Sequence, residues 1–317
     1  MKYTRIAGTG SCLGSKLITN DDIAKMVDTT PEWIIERSGI EQRYILGENE
    51  SLTSLSLTAS QRAIEAAGID KHDIDMIIFA TTTPDRTFPS TAILLQEQLG
   101  IASCPAFDLG AACAGFNYGL GLADSLIKSG QSKCILLIGA EALSRLVNWQ
   151  DRSTCFLFGD GVGAAILQAS DEPGVIGTRL HADGQYKDLL YASSGLGGAK
   201  ERPYLMMLGN AVFKVAVNTL TDAVIEILHA NGMHESQVDW LVPHQANLRI
   251  ISAVAKRLSL PIERVVININ KYGNTSSASI PIALDEAIRD GRIKRGETLL
   301  LESFGGGFAW GSALIRY

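Results

Sequence analysis

The chain has 317 residues, with 28 Lys+Arg against 34 Asp+Glu, a formal net charge of −6, 46% hydrophobic residues and 20% charged residues. This balance excludes a disordered chain, a collagen and a coiled coil, and the length suggests about two domains, each able to bury its own core. An acidic whole argues against broad nucleic-acid binding, and no run approaches the roughly 20 apolar residues of a membrane-spanning helix, so neither nucleic acid nor membrane is expected as a partner.

Ahead of Asn20 stand Lys2, Arg5, Gly8, Gly10, Gly14 and Lys16, with no apolar block of secretory length. Gly8-Thr-Gly10-Ser-Cys-Leu13-Gly14-Ser-Lys16 looks like a phosphate loop but fails both patterns: Leu13 occupies the third Rossmann glycine, and no G-K-[ST] follows. Apolar runs then alternate with amphipathic stretches. Residues 74–80 read as a strand, 91–100 as a helix, 104–110 as a strand, the pattern from Cys113 as a helix and 134–141 as a strand. Such alternation points to an α/β fold with mixed or parallel sheets. Gly159-Asp-Gly-Val-Gly163 lies between two strand-like runs and reads as a tight hairpin.

The second half repeats the first. Leu122–Gly130 resembles Ala283–Gly291, Asp75–Ala80 resembles Asp239–His244, Phe158-Gly-Asp-Gly resembles Phe304-Gly-Gly-Gly, and Lys133 matches Lys294. We therefore expect a duplicated unit, residues 1–172 and 173–317, with the boundary at Ser170–Gly174. The helix match has an offset of 291 − 130 = 161, which carries Cys113 onto Asn274, since 274 − 113 = 161. Both would open helices near a pseudo-twofold axis, and His244 ends a strand, where α/β folds usually bind ligands. Cys113, His244 and Asn274 are thus expected to converge.

Five cysteines with no C-x-x-C pair suggest neither a disulfide framework nor a zinc site, so a reduced, cytoplasmic protein without metal is expected. Cys12, Cys104, Cys134 and Cys155 lie in or beside apolar runs and read as inert core thiols. Cys113 is flanked by Ala112, Ala114 and Gly115, which leave room for a substrate. At a helix start the dipole would carry its thiol from ~8.5 to about 7–8.

Ala111-Ala-Cys-Ala-Gly-Phe116, Val242-Pro-His-Gln-Ala-Asn-Leu-Arg249, Gly273-Asn-Thr-Ser276 and Ser303-Phe-Gly-Gly-Gly-Phe308 closely resemble the β-ketoacyl-[acyl-carrier-protein] synthase III family, the initiating condensing enzymes of bacterial fatty-acid synthesis. The resemblance runs from Gly8-Thr-Gly-Ser11 to Gly311-Ser-Ala-Leu. It implies an α/β thiolase-like fold of two duplicated halves in five layers, α-β-α-β-α, and a homodimer. It implies a decarboxylative condensation. Cys113 takes an acyl group from acyl-CoA, acetyl-CoA being the commonest starter. Malonyl-acyl-carrier protein then loses carbon dioxide, and its carbanion attacks the acyl-cysteine. Coenzyme A thioester is a substrate, and no cofactor is implied.

The chemistry assigns roles to residues. Acyl loading needs an oxyanion hole, for which the backbone N–H groups of Cys113 and Gly306 are candidates. Decarboxylation needs two donors aimed at the enolate oxygen, the Asn274 amide and a neutral His244 bearing its hydrogen on Nε2. By resemblance, Trp33, Arg37 and Arg152 contact coenzyme A, an indole and a guanidinium flanking its adenine, and Asn210 and Asn247 line its pantetheine arm. Pro31 departs from the family pattern, which has an acidic residue there. Phe88 resembles the residue a neighbouring subunit lends to the acyl pocket.

The run Gln245–Leu258 is amphipathic, with Leu248, Ile251, Ala255 and Leu258 as its apolar stripe. Arg249 and Lys256 share a face, Arg257 lies beside them, and Lys214 is expected to join. With Gln245, this basic patch is the candidate surface for an acidic carrier protein. Three rival readings share the same side chains: a papain-type hydrolase, a related condensing enzyme of secondary metabolism with a different acyl donor, and a non-catalytic carrier-binding scaffold.

Overall fold

A computed structural model describes residues 2–193 and 204–317. The elements in chain order are β1 (Tyr3–Leu13), β2 (Lys16–Thr19), α1 (Asn20–Ala24), α2 (Pro31–Ser38), β3 (Gln42–Ile45), α3 (Leu52–Ala67), β4 (Met76–Ala80), α4 (Thr91–Leu99), β5 (Ala106–Leu109), α5 (Gly115–Lys128), β6 (Cys134–Ala142) and β7 (Asp160–Ser170). There follow β8 (Val175–Ala182), β9 (Leu190–Ala192), β10 (Leu205–Met207), α6 (Gly209–Ala230), β11 (Trp240–Pro243), α7 (Leu248–Arg257), α8 (Ile269–Tyr272), α9 (Ser279–Arg289), β12 (Thr298–Gly305) and β13 (Ala309–Arg316).

Two mixed sheets organise the molecule. One has the order β1-β7-β6-β4-β5, the other β11-β12-β13-β8. In the first, β4 runs parallel to both β5 and β6; in the second, β11 runs parallel to β12. β4 and β6 are buried along their whole length, which is why they read as unbroken apolar runs rather than alternating ones. Three apolar clusters define the layers. One lies beneath α3 and α4, one surrounds α5 and α9 between the sheets, and one lies beneath α6 and α7. The stack is therefore α-β-α-β-α.

Helices α2, α3 and α4 start on side-chain caps that their sequences announce, whereas α6 starts at Leu208 without one. Thr30 accepts from Trp33 N–H ahead of Pro31, Ser51 forms a capping box with Ser54, and Ser90 accepts from Ile93 N–H. The central helices α5 and α9 have no such cap; each is entered through a short 3₁₀ turn, residues 112–114 and 276–278. The first residue of each turn is left-handed without being glycine: Ala112 at φ 46° and Ser276 at φ 51°.

The duplication is present, but its offset is not uniform. Asp75 N–H donates to Cys134 O and Asp239 N–H donates to Thr298 O, both at 2.9 Å, and 239 − 75 = 298 − 134 = 164. The two left-handed residues give the same value, 276 − 112 = 164. The 161 offset holds only where the helices end, because α9 has 11 residues and α5 has 14. By position in the repeat, the counterpart of Cys113 is Ser277, and Asn274 is not a helix-opening residue. The expected hairpin at Gly159–Gly163 is also replaced. Asp160–Gly163 are the first residues of β7, which pairs antiparallel with β6 and β1. Glycine is required there for packing rather than turning, since a Cβ on Gly163 would stand 2.5 Å from Pro281 Cβ of α9. Among the described residues no helix is long and apolar enough to cross a membrane.

Candidate active site

A cavity of about 970 Å³ opens where the ends of β6, β11 and β12 meet the starts of α5 and α9, and Cys113, His244, Asn274, Ser276 and Gly306 all line it. Three pieces of local structure deliver the three predicted side chains. Cys113 follows left-handed Ala112 in the turn before α5. Its backbone fits only because residue 305 is glycine: a Cβ there would lie 2.6 Å from Cys113 N. His244 stands one residue past β11, its N–H donating to Glu302 O at 2.8 Å and its carbonyl accepting from Ala246 N–H at 2.9 Å. Asn274 forms an isolated bridge with Phe158, and its N–H donates to Leu157 O at 2.8 Å. Its side-chain Oδ1 accepts from Ser276 N–H at 2.8 Å. With that oxygen occupied, the carboxamide NH₂ is the group left to act as a donor.

The electrostatics differ from those expected for a helix-start thiol. Burial pushes the Cys113 thiol up to about 12, a hydrogen bond from Ser276 opposing this and nearby Glu141 adding to it. A helix terminus supplies only about 0.3–2 kcal/mol, less than desolvation of the thiolate costs here. Desolvation thus runs against the expected value of about 7–8 and favours the thiol over the thiolate in the free site. Burial also holds the His244 imidazole down at about 3, so it is neutral, and its Nδ1 is buried without a hydrogen-bond partner among the described residues.

Sequence reasoning missed Ser276 and Glu141. Ser276 Oγ donates toward Cys113 Sγ at 3.3 Å and lies 3.3 Å from Glu141 Oε1. Glu141 was visible in principle as a carboxylate inside the apolar run of β6; Ser276 had no signal, since its left-handed backbone and its reach to two distant residues exist only in the fold.

Farther out, the cavity is lined by Trp33, Arg37, Arg152, Asn210, Asn247 and Arg249. Trp33 packs edge-on against Phe156, with ring centroids 5.4 Å apart, and carries Arg152 Cζ 4.4 Å and Arg37 Cζ 5.8 Å from its centroid. The guanidinium of Arg152 thus occupies the indole face on which the resemblance puts an adenine. Asn247 caps α7 by accepting from Arg249 N–H and donates to Arg37 O at 3.0 Å, tying this helix to α2.

The basic face of α7 keeps Arg249, Lys256 and Arg257 exposed, with Lys214 exposed on α6. Arg249 lies 5.5 Å from the Phe213 ring, and Arg257 donates to Asn218 Oδ1 at 2.7 Å. Gln245 is corrected: it is 1% exposed, its amide donates to Pro243 O and Val266 O, and its oxygen accepts from Asn268 and Ile269 N–H. It braces the turn after β11 and cannot meet a partner. The apolar stripe of α7 gains Ile250 and Val254, while Leu248 turns toward α2. Phe88 is 83% exposed and does not line this cavity. Among the described residues no group of three or more His, Cys, Asp or Glu is arranged to hold a metal ion.

Comparison with known proteins agrees with this architecture. Residues 107–184 match the family described as 3-oxoacyl-[acyl-carrier-protein (ACP)] synthase III, and residues 228–317 match its C-terminal family. The chain is 57% identical over 320 residues to the β-ketoacyl-[acyl-carrier-protein] synthase III of Methylococcus capsulatus, covering 100% of this chain and 99% of that protein. It is 56% identical over 315 residues to β-ketoacyl-[acyl-carrier-protein] synthase III 1 of Vibrio cholerae, covering 99% and 100%. The crystal structure of 3-oxoacyl-[acyl-carrier-protein] synthase III from Aquifex aeolicus superposes with a TM-score of 0.95 at 47% identity, over 99% of this chain and 100% of that one. The priming β-ketosynthase of the R1128 polyketide pathway also superposes at 0.95, with 36% identity over 99% and 96%. The fold is thiolase-like, and with relatives this similar over its full length the chain belongs to the β-ketoacyl-[acyl-carrier-protein] synthase III family.

Proposed function

We propose that this protein condenses an acyl-CoA, acetyl-CoA first among donors, with malonyl-acyl-carrier protein to give a 3-oxoacyl-carrier protein, the initiating step of fatty-acid synthesis. The observation that carries this reading is the meeting of Cys113, His244, Asn274 and Gly306 on one cavity. Cys113 sulfur attacks the acyl-CoA carbonyl and coenzyme A departs. The N–H groups of Cys113 and Gly306 hold the oxyanion. Malonyl-carrier protein then releases carbon dioxide while His244 and Asn274 stabilise the enolate oxygen. Neutral His244 suits this role, because a cation would hold the malonyl carboxylate in place. The unpartnered Nδ1 favours the tautomer with hydrogen on Nε2, since a buried orphan N–H costs more than an under-used acceptor.

Trp33, Arg37 and Arg152 would bind the nucleotide end of coenzyme A, with Arg152 swinging off the indole to admit the adenine, and Asn210 and Asn247 would line the arm. Exposed Phe88 supports a homodimer in which each chain lends this ring to its neighbour. Five free cysteines suit a reducing compartment such as the cytoplasm. We propose a division into halves at residues 172/173, the first supplying Cys113 and the second His244 and Asn274.

Intact-mass measurement across a panel of acyl-CoAs tests the reading: one acyl group should appear on Cys113 and vanish in Cys113→Ala. The same panel separates an acetyl-primed enzyme from a condensing enzyme of secondary metabolism, whose donor would differ. His244→Ala and Asn274→Ala should each slow malonyl decarboxylation about 100–1,000-fold while acyl loading falls far less. Equal loss of both half-reactions in either variant contradicts the split roles.

A further inference from the structure

Behind Cys113 the fold holds a buried carboxyl that the two half-reactions above leave unused. Glu141, near the end of β6, is fully buried. Its oxygens accept from Thr82 N–H at 3.2 Å, Thr82 Oγ1 at 3.0 Å and Thr83 Oγ1 at 2.7 Å. Ser276 Oγ and Ser277 Oγ each approach Oε1 to 3.3 Å. No cation pairs with it among the described residues. With no cation beside it, this carboxyl is held by hydrogen bonds alone, and burial favours its protonated form.

The neighbour that can exchange that proton is Cys113, through Ser276. That serine is held in a left-handed conformation at φ 51°, a strained state for a residue with a Cβ, and its N–H is pinned by Asn274 Oδ1. The result is a hydroxyl between sulfur and carboxyl, 3.3 Å from each. A serine hydroxyl has one proton to give and lone pairs to receive another, so it can bond both neighbours in either direction.

We propose that Ser276 and Glu141 form a proton relay for the Cys113 thiol, with Ser276 as a catalytic residue at the sulfur and Glu141 as the positioning residue that stores the proton. In the loading step the S–H bond breaks and its electron pair stays on sulfur. The proton passes to Ser276 Oγ, and the serine's own proton passes to Glu141 Oε1. The thiolate forms its C–S bond to the acyl carbon, and coenzyme A leaves as a thiolate that takes a proton from water. During the acyl-enzyme stage the relay then holds a neutral carboxylic acid and no buried charge. When the carbanion displaces Cys113, the sulfur leaves as thiolate and recovers the proton from Glu141 through Ser276.

Burial pushes the Glu141 carboxyl up to about 7, hydrogen bonds from Thr83, Thr82 and Ser276 opposing it, so both of its forms are populated at neutral pH. His244, held near 3, is a poor acceptor for the same proton. The ionisable groups around Glu141 are few. Cys113 lies across Ser276. Asp160 of β7 stands opposite Ala142, its carboxyl taken by Ser144 and by Leu46 N–H. The Asp85–Arg145 pair lies beyond Thr83. Thr82, Thr83, Ser276 and Ser277 do not titrate in the working range.

The proposal rests on Cys113 being the acylated nucleophile, and the test keeps the two apart. Iodoacetamide labelling of Cys113, followed by intact mass from pH 5 to 9, is compared in wild type, Ser276→Ala, Glu141→Gln and the double variant, alongside single-turnover acyl loading. Wild type should show an inflection near neutrality that all three variants lack. Loading at pH 7 should fall about 100-fold or more in each single variant. The double variant should be no slower than Ser276→Ala, because serial links fail once, and Glu141→Asp should restore the inflection in part. Labelling profiles that superimpose on wild type, or losses that multiply in the double variant, would overturn the relay. Should Glu141→Gln not fold, Ser276→Ala, which deletes a single hydroxyl, decides by the same profile. Acyl label on a residue other than Cys113 in wild type would instead overturn the nucleophile assignment.

Discussion

Glu302 and His244 are adjacent across the β11–β12 ladder and titrate against stability in opposite directions. Glu302 is fully buried with Oε2 unpartnered among the described residues, and burial pushes its carboxyl from an ordinary 4.5 up to about 8. The folded chain therefore keeps a proton that the unfolded chain has lost between those values. The contribution is complete below pH 4.5 and disappears as pH rises through 8, at roughly 1.4 kcal/mol per pH unit inside the window. Glu141 has the same sign, with its upper limit near 7. His244 is the reverse: folded near 3 and ordinarily 6.5, it costs stability as pH falls from 6.5 toward 3. Glu302→Gln replaces the neutral acid by a neutral amide of similar shape. Its melting temperature should exceed that of wild type at pH 8.5 and lose the advantage at pH 5. Calorimetry at the two pH values measures this, and an equal displacement at both would mean that Glu302 is charged in the folded chain.

At the scale of elements, α7 links the cavity to the surface. Its N-terminal cap Asn247 reaches α2, and its first turn carries Arg249 over Phe213 of α6. Lys214, Arg249, Lys256 and Arg257 present four positive charges, none in a salt bridge among the described residues, on a chain of net charge −6. A patch of this kind would raise the encounter rate with an acidic partner, and salt would weaken the attraction. Arg249→Glu should raise the KM for malonyl-carrier protein about 10-fold at low ionic strength, Lys256→Glu less, and the differences should narrow in about 0.5 M salt. Initial rates against carrier concentration at two salt levels check it; a salt-independent change would point to lost packing on Phe213 instead. The helix itself was legible in the apolar spacing of Ile251, Ala255 and Leu258. The inward turn of Gln245 was not, because its four hydrogen bonds go to residues on both sides of it and up to 24 positions away.

The whole molecule explains why some features were readable and others were not. Continuous apolar strands and paired αL glycines at the ends of α5 and α9, Gly130 and Gly291, leave local marks, so the duplication and the layers could be inferred from letters alone. The three-residue slip in the repeat, the Gly163–Pro281 contact and the Glu141–Ser276–Cys113 line depend on how the halves dock. That docking is extensive. The central apolar cluster mixes Ile6, Ile78 and Leu137 with Val242, Ile280 and Leu301. Asp285 accepts from Thr9 and Ser11, Asn117 donates to Ser303 and to Gly311 O, and Arg295 donates to the carbonyls of Ile6 and Ala7. Neither half has α5 or α9 covered on all sides without the other, so the halves should unfold together although each carries its own sheet. The four tryptophans divide evenly, Trp33 and Trp149 in the first half, Trp240 and Trp310 in the second. In urea, fluorescence of the Trp240→Phe/Trp310→Phe variant reports the first half and that of Trp33→Phe/Trp149→Phe the second. Each should lose signal at the midpoint its own far-ultraviolet dichroism gives, in one step. A fluorescence transition that separates from the dichroism in either variant would show that the halves fold independently, and the site between them would then assemble only after both had formed.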